Sequence, residues 1–597
     1  MASRAGIAYW KPALATLAIF SAPLFPADRP DDPVNRAMKD ELVRSMAQLQ
    51  LPQMEKPYFV AYRIQDVTHF GVSASLGSVD SSAGPATRAR TISVEMRVGD
   101  YALDNTNFFS MQAIEGGMFF SGRGEAALDD DYAQIRRELW LASDTHYKQA
   151  LENLSAKRAA LKARTSDENI PDFSKEAPVA LNEAHPIAAA DEAKLKAMAR
   201  ELSAVFRSVP EINSSGVEIK YSGVQTRYLN SEGTSFGRSD RLIKLEVHAE
   251  TQAPNGLPIS DSFAVYARSA ADLPSREVLL ERVQKMSGLV LKLRSSSTID
   301  RYNGPVLFEG AAAGEIFLQQ FGSRLASSRT PLSDNPQFEM MFSQIFDRLG
   351  GPPLQDKIGA RVLPSFLSVQ DNPSLNDFRG TPLLGTSTID DDGVRTRETT
   401  LVDHGVLKTL LSTRVPVRGI LQSTGSRRGP GAAPSNLILN STKTMPAGEL
   451  RQELLRLAKE RGLDYALVVR RVGAGSAASF LDLARQMSTG QGTSRSLSEV
   501  YKLYPDGHEE LIRGVHITEL PAESFKEIAA TGDAPVVYSD EVMPRLTSMF
   551  FTGFSGGENL PVVSCVSPAL LFEEVSVAKT EGPFPALPIS PSPLAEK

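Results

Sequence analysis

The sequence predicts an α+β fold built from two lobes, and three observations lead to that prediction. Apolar residues alternate with polar ones over short segments such as 91–98, which is typical of half-buried strands. Elsewhere they recur at helical spacing between start and stop signals, most clearly over 446–461, where Pro446 precedes and Gly462 follows. Between the two lobes lies the stretch 304–326, GPVLFEGAAAGEIFLQQFGSRLA, in which an apolar run leads into an alanine-rich helix.

The chain has 597 residues, of which 42% are hydrophobic and 23% are charged, enough for two or more cores. Its net charge is −7 and its pI is about 5.7. Because a protein that binds a phosphate backbone needs a basic excess, direct binding of nucleic acid is not expected.

The first 27 residues have the features of an export signal. Arg4 and Lys11 provide positive charge, residues 12–25 are apolar, and Ala27 offers a cleavage point. The alternative is a disordered or membrane-tethered N-terminus. We therefore expect a periplasmic or secreted mature protein, and no later stretch is apolar enough to predict a membrane span.

The first lobe is predicted over residues 28–300. In chain order we expect a helix over 33–51, strands over 57–64 and 91–98, a helical insert over about 126–205, strands from 217 to 268 with a turn at 230–233, and an amphipathic helix over 274–295. The insert is rich in Ala, Leu, Glu, Lys and Arg, and it is expected to project from the sheet or to pack on it.

The second lobe is predicted over residues 301–580. After the central helix we expect extended pieces over 353–362 and 366–369, a hairpin with Asp403-His404-Gly405 at its turn, the helix 446–461, a hairpin around 505–507, and closing strands over 562–566 and 570–577. Residues 581–597 are Pro-rich and predicted to be a disordered tail.

Two segments of this lobe contain consecutive charged residues. Asp390, Asp391 and Asp392 are consecutive, but they lack the alternating spacing of an EF-hand, so an acidic surface turn is favoured over a calcium site. Residues 423–435 form a Gly/Pro/Ser/Arg loop that is expected to be flexible and either to link elements or to cover a cleft. Its Arg427-Arg428 pair is interpreted as solvated.

The sequence lacks convincing examples of the residue patterns that indicate a catalytic site. No two of the seven histidines are three or four residues apart, so no helix presents a His pair to a metal. Cys565, the only cysteine, is predicted to be a buried strand thiol. The letters Gly-x-Ser-x-Gly occur at 553–557, but no His follows them, which favours a turn over a nucleophile elbow. The Gly-rich stretch 473–478 lacks the lysine of a phosphate loop.

Three motifs nevertheless resemble one family in their order along the chain. They are Asn-Ser-Glu-Gly at 230–233, Gly-Pro-Val-Leu-Phe-Glu-Gly at 304–310 and Leu-Val-Asp-His-Gly-Val-Leu-Lys at 401–408, and the chain resembles the TldD/PmbA metallopeptidase family over roughly 42–577. In the TldD branch the central helix carries His-Glu-x-x-x-His. Here Leu318 and Gln319 fall where the family has His and Glu, and Ser323 falls where it has the second His.

The resemblance implies an N-terminal α/β lobe and a β-rich C-terminal lobe around a long cleft. It also implies a metal-free, PmbA-like member without a cofactor, because Cys565 does not coincide with the family's cysteine ligand either. Such a member is expected to bind extended or unfolded peptide and to form homodimers, or heterodimers with a zinc-bearing TldD-like subunit. Two alternatives stay open: an active peptidase with unrecognised site residues, and a structural envelope protein whose insert fills the cleft.

Overall fold

The computed structural model describes residues 32–80, 84–109, 123–164, 170–340, 343–344, 354–473, 495–546, 560–590 and 592–595. Three predicted features lie outside these residues: the export signal, the Gly-rich stretch after Gly473, and the Gly-x-Ser-x-Gly letters at 553–557. The α+β prediction is confirmed, with one mixed lobe on each side of residue 300.

A sheet of long strands is the centre of the first lobe. Its order is Arg123–Ala126, Thr87–Val98, Pro57–Ser75, Ser214–Asn230, Ser235–Gln252 and Ala180–Glu183, with Ser78–Val79 beside Pro57–Ser75 and Pro258–Ala267 beside Ser235–Gln252. All neighbours are antiparallel except Ala180–Glu183, which runs parallel to Ser235–Gln252. Because side chains alternate along a strand, Tyr62 and Ile64 face a helical layer, while Arg63 and Gln65 face the second lobe.

Four helices cover the outer face of this sheet: α1 (Pro33–Gln48), α2 (Tyr132–Lys162), α3 (Glu192–Ala204) and α4 (Arg276–Ser295). Each begins after a residue whose side chain accepts hydrogen bonds from the first turn, namely Asp32, Asp131, Asp191 or Ser275. The helical insert packs on the lobe: Ile135 and Leu139 of α2 are fully buried against α1 and the sheet.

The second lobe contains two larger sheets. The first joins Arg301–Phe308, Ala466–Val472, Arg495–Leu503, Val515–Glu519, Leu570–Lys579, Ile528–Gly532 and Thr444–Met445, with Glu509–Ile512 beside Arg495–Leu503. Arg301–Phe308 also pairs with Leu570–Lys579, so five of these strands close into a ring. The second sheet has the order Val406–Leu407, Thr399–Asp403, Leu367–Asp371, Asn436–Ser441, Val562–Ser567 and Val536–Glu541.

Short elements complete the described chain. Strand pairs are Phe108–Phe109 with Leu332–Ser333, Asp377–Phe378 with Thr381–Pro382, and a trio of Arg427–Arg428, Gly431–Ala432 and Arg545–Leu546. Single 3-10 turns are Val205–Ser208, Gly322–Leu325, Gln355–Lys357, Ala522–Glu527 and Pro593–Ala595. The prediction of extended chain over 353–362 is wrong at Gln355–Lys357, where the backbone makes a 3-10 turn.

The predicted central helix is α5 (Ala311–Gln320), and it lies between the two sheets of the second lobe. Ile316 and Phe317 are fully buried there. A Cβ on Gly314 would lie 2.9 Å from the Cβ of Tyr538, so a glycine lets the helix approach the strand Val536–Glu541. A further helix of this lobe, α6 (Ala447–Glu460), covers the opposite face of the first sheet.

Several smaller predictions can be compared directly. The hairpin turn at Asp403-His404-Gly405 is confirmed, and the His404 side chain is 70% exposed beside Asp403. Cys565 is fully buried on a strand, as expected. Among the described helices, none combines the length and apolarity needed to cross a bilayer. In the predicted tail, Phe584 packs against the first lobe.

Candidate functional site: the cleft between the lobes

The three motif positions lie at the C-terminal end of α5. Leu318 is 2% exposed and packs in the core of the second lobe. Gln319 is half-buried, and Ser323 lies in the following 3-10 turn, where its carbonyl oxygen accepts a hydrogen bond from Arg545 Nε at 3.1 Å. At these three positions the chain therefore has one apolar and two neutral polar side chains.

These residues do not fit a zinc ion. A hydrolytic zinc site takes His, Cys or carboxylate ligands, whereas a leucine side chain has no ligand atom. Across the described ranges, no cluster of three His, Cys, Asp or Glu side chains has a geometry that holds a metal.

A cleft of about 620 Å³ separates the inner face of the first sheet from the loops of the second lobe. Its floor is formed by alternate residues of neighbouring strands, including Arg63 and Gln65 from Pro57–Ser75 and Ala89 and Thr91 from Thr87–Val98. Its opposite wall comes from residues within 384–396 and 425–430, together with 543–544 and 560–562 of the second lobe. The volume lies within the range of small-ligand and peptide sites.

The three consecutive aspartates form part of this wall, and the prediction of an acidic surface turn is wrong. Asp390 and Asp392 are 3% and 5% exposed. Asp391 accepts a bond from Arg238 of the first lobe at 2.8 Å and from the amide of Gly429 at 2.6 Å. These contacts hold the pKa of Asp391 well below its usual range, against the opposing effect of burial.

The pKa values of the neighbouring carboxyls, Asp390 and Asp392, are shifted in opposite directions. Burial and the charge of Asp392 raise the pKa of Asp390 to about 8, although it accepts bonds from the amides of Val394 and Arg427. Asp392 binds the Arg427 side chain at 2.5 Å, and this cation lowers its pKa despite burial. The three aspartates thus stabilise the wall of the cleft through hydrogen bonds and ion pairs with neighbouring segments.

The Gly/Pro/Ser/Arg loop was expected to be flexible and solvated, and this prediction is also wrong for most of its residues. Ser423 is fully buried and Arg427 is 5% exposed. Residues Arg427–Arg428 and Gly431–Ala432 pair as short strands. The loop does line the cleft through Gly425 and residues 427–430, in agreement with the expectation that it covers one.

A buried ion pair joins the lobes beside the cleft. Arg414 of the second lobe binds both oxygens of Glu232, at 2.6 and 2.9 Å, and its guanidinium lies 3.8 Å from the ring centre of Phe173. Glu232 belongs to the predicted Asn-Ser-Glu-Gly turn, in which Asn230 Oδ1 accepts bonds from the amides of Glu232 and Thr234. The turn therefore presents a carboxylate to the other lobe.

A second junction contains titratable groups close to α5. Glu315 is 8% exposed and accepts a bond from the amide of Val472 at 3.0 Å. Burial, together with the nearby charges of Asp540 and Asp261, raises the pKa of Glu315 to about 8. Asp540 accepts a bond from Tyr266 of the first lobe at 3.0 Å and one from Tyr538 of its own strand at 2.7 Å.

Sequence reasoning missed the buried arginines and acids of both junctions. Their partners are more than 150 positions apart, as for Arg238 and Asp391 or Arg414 and Glu232, so no local spacing connects them. One signal was present for Glu315, because it is a carboxylate among the apolar residues Ala312, Ala313, Ile316 and Phe317 of a predicted core helix.

Comparison with known proteins agrees with this architecture. Residues 305–579 match the family model described as the PmbA/TldA metallopeptidase C-terminal domain. A comparison with curated protein sequences finds no match. The family match covers both sheets of the second lobe and the helix α5 between them.

Three solved structures share the fold over nearly the whole chain. A protein described as a candidate modulator of a DNA gyrase from Thermotoga maritima is 17% identical with a TM-score of 0.54, covering 91% of this chain and all of its own. One so described from Bacteroides thetaiotaomicron is 13% identical with a TM-score of 0.53, covering 92% and 98%. TldE from Thermococcus kodakarensis is 13% identical with a TM-score of 0.51, covering 91% and 100%.

At these identities the solved structures establish the fold, and the family model establishes the class of the second lobe. The second lobe therefore belongs to the TldD/PmbA family of metallopeptidase-like proteins, as the sequence resemblance predicted, and the chain as a whole shares the fold of the three solved structures.

Proposed function

We propose that this protein is an exported TldD/PmbA-family subunit that binds extended or unfolded peptide in the cleft between its lobes, without a zinc ion of its own. The observation that carries the proposal is the cleft of about 620 Å³, which has a sheet face as its floor and second-lobe loops as its wall. A groove along neighbouring strands suits an extended chain better than a folded one, because alternate side chains of the peptide can enter successive pockets.

The chemistry of α5 supports the metal-free part of the proposal. Leu318, Gln319 and Ser323 offer neither a thiolate, an imidazole nor a carboxylate to a metal, and Leu318 is packed in the core. The family resemblance adds that a mixed pair contains one zinc-bearing subunit. We therefore propose that this chain forms a dimer, either with itself or with a relative that carries His-Glu-x-x-x-His.

Blocking the cleft tests the binding site. Ala89 is an exposed strand residue on the floor of the cleft, and Arg88 is its exposed neighbour on the opposite face of the sheet. We expect Ala89→Trp to weaken binding of a labelled unfolded polypeptide at least about tenfold in fluorescence anisotropy, because an indole fills space that the peptide needs. The matched variant Arg88→Trp should bind like the unmodified protein.

Equal binding by Ala89→Trp and the unmodified protein would overturn the assignment of the cleft. Circular dichroism of both variants verifies the fold. Pull-down from envelope extracts tests the partner: recovery of a His-Glu-x-x-x-His relative supports a mixed dimer, and recovery of the chain alone at dimer mass supports a homodimer.

A further inference from the structure

Six arginines line the cleft, which is unusual in a chain whose net charge is −7. Two of them are neutralised within the protein. Arg238 binds Asp240 at 2.7 Å and Asp391 at 2.8 Å, and Arg427 binds Asp392 at 2.5 Å. These two arginines build the wall and have little charge left for a ligand.

The other four form no salt bridge within the described part of the chain, and they are Arg63, Arg241, Arg268 and Arg428. Three of them donate only to carbonyl oxygens. Arg268 binds those of Leu384 and Thr386, each at 3.1 Å, Arg428 binds that of Gly385, and Arg63 binds that of Asp391. A carbonyl satisfies one donor of a guanidinium but has no formal charge, so Arg63 and Arg428 are offset only by the longer-range attraction of Asp391 and Asp371.

Arg63 is only partly satisfied by the chain. Its guanidinium lies 5.7 Å from the ring centre of Tyr228, and its buried Nε has no hydrogen-bond partner among the described residues. Buried donors in proteins are normally satisfied, so this side chain has hydrogen-bonding capacity to spare, and a ligand in the cleft would meet its terminal nitrogens. The side chain is held over the floor of the cleft because Arg63 alternates with Tyr62 and Ile64, which are buried on the other face.

The acidic residues of the cleft do not cancel this charge. Asp240 and Asp391 are both bound to Arg238. Asp390 is buried, and its pKa is raised to about 8, so it is largely neutral near pH 7. Glu125 is exposed and forms no salt bridge with a described residue. The cleft therefore presents a net positive surface.

We infer that the cleft selects extended peptides that carry carboxylates, as aspartate or glutamate side chains or as a free C-terminus. This inference rests on the proposed function and names the substrate class of the same site. The four arginines that form no salt bridge would bind these groups, with Arg63 half-buried on the floor of the cleft and Arg241 and Arg268 at exposed positions. A planar guanidinium binds a carboxylate through two parallel hydrogen bonds, which suits this ligand.

Matched peptides test the inference on the full chain. One labelled unstructured peptide contains glutamates in a Gly/Ser background, and the other has glutamine at each glutamate position with an amidated C-terminus. We expect the glutamate peptide to bind at least about tenfold more tightly at low salt, and to lose most of this advantage at high salt, because screening weakens charge interactions.

A charge-removing variant locates the effect. Arg241 is exposed, and its side chain forms no hydrogen bond or salt bridge with a described residue, so Arg241→Gln should leave the fold intact. We expect it to weaken binding of the glutamate peptide about fivefold and to leave the glutamine peptide unchanged. Arg88→Gln, on the opposite face of the same sheet, is the matched control and should change neither affinity. Adding a free C-terminus to the glutamine peptide separates terminal from side-chain recognition.

The possible outcomes distinguish a failure of charge selection from a failure of the proposed peptide binding. If both peptides bind equally, charge selection is overturned while peptide binding stands. If neither peptide binds, the proposed function fails and the inference fails with it. A competition experiment compares two unlabelled competitors, the glutamate peptide and a single-stranded oligonucleotide, against the labelled glutamate peptide. If the oligonucleotide displaces the label at the lower concentration, the ligand is a nucleic acid and the peptide assignment is overturned.

Discussion

Replacing Glu315 by glutamine tests whether the junction beside α5 contains a carboxyl that is protonated at neutral pH. Glutamine has the same shape and can still accept the hydrogen bond that Glu315 receives from the amide of Val472. Burial raises the pKa of the native group from an ordinary 4.5 to about 8. A raised pKa means that the folded state binds the proton more tightly than the unfolded chain does, so the native protein loses stability as the pH rises from 4.5 through 8.

The size of the effect follows from this shift. Each pH unit above 4.5 lowers the free energy of unfolding by about 1.4 kcal/mol until the folded group itself titrates, which gives an upper bound of about 4 kcal/mol between pH 5 and pH 8. Water penetration and relaxation around a buried charge reduce such effects, so we expect about 2 kcal/mol. The difference in free energy of unfolding, Glu315→Gln minus native, should increase by that amount over this range.

Urea unfolding at pH 5, 6, 7 and 8 measures this difference, because titrations common to both proteins cancel. Glu573→Gln, at an exposed strand position, is the matched control and should show a constant difference. If the Glu315→Gln difference is also constant to within about 0.5 kcal/mol, the carboxyl is not held protonated and the argument from burial is refuted.

Two further substitutions test the packing around the cleft. Arg414→Ala removes a guanidinium whose side chain is 2% exposed and leaves Glu232 without its cation, which should cost about 3–5 kcal/mol in urea unfolding. Leu318→Ala opens a cavity in the core and should cost about 2–5 kcal/mol in the same assay.

Exposed counterparts serve as controls for both substitutions. Arg456 forms its ion pairs with Glu453 and Glu460 on the surface of α6, so Arg456→Ala should change stability little. Leu421 is 53% exposed, and Leu421→Ala should lie within about 0.5 kcal/mol of the native value. If Arg414→Ala or Leu318→Ala resembled its control, the buried environment assigned to that residue would be wrong.

The regular elements could be predicted from the sequence because their signals are local. Alternation over 91–98 and the helical spacing over 446–461 each correspond to an observed element, Thr87–Val98 and α6. The hairpin turn at His404 followed from its Asp-His-Gly letters in the same way. In these segments the residues that determine the structure are within one turn or one hairpin of each other.

The cleft could not be predicted in detail because its interactions are long-range. Three consecutive aspartates indicate a solvated turn when read locally. In the fold Asp391 binds the guanidinium of Arg238 from a distant segment, and Asp392 accepts a hydrogen bond from the backbone amide of Arg414, whose charge also acts on it. The same reason applies to Arg427, which was interpreted as solvated and instead binds Asp392 in the wall of the cleft.

Incubating the purified chain with an unfolded polypeptide, with and without a metal chelator, tests the central claim most directly. Anisotropy reports binding, and mass spectrometry of the same samples reports cleavage. We predict that the polypeptide binds equally well in both samples and stays intact, because Leu318, Gln319 and Ser323 offer no ligand set for zinc. Cleavage by the purified chain that the chelator abolishes would contradict the account.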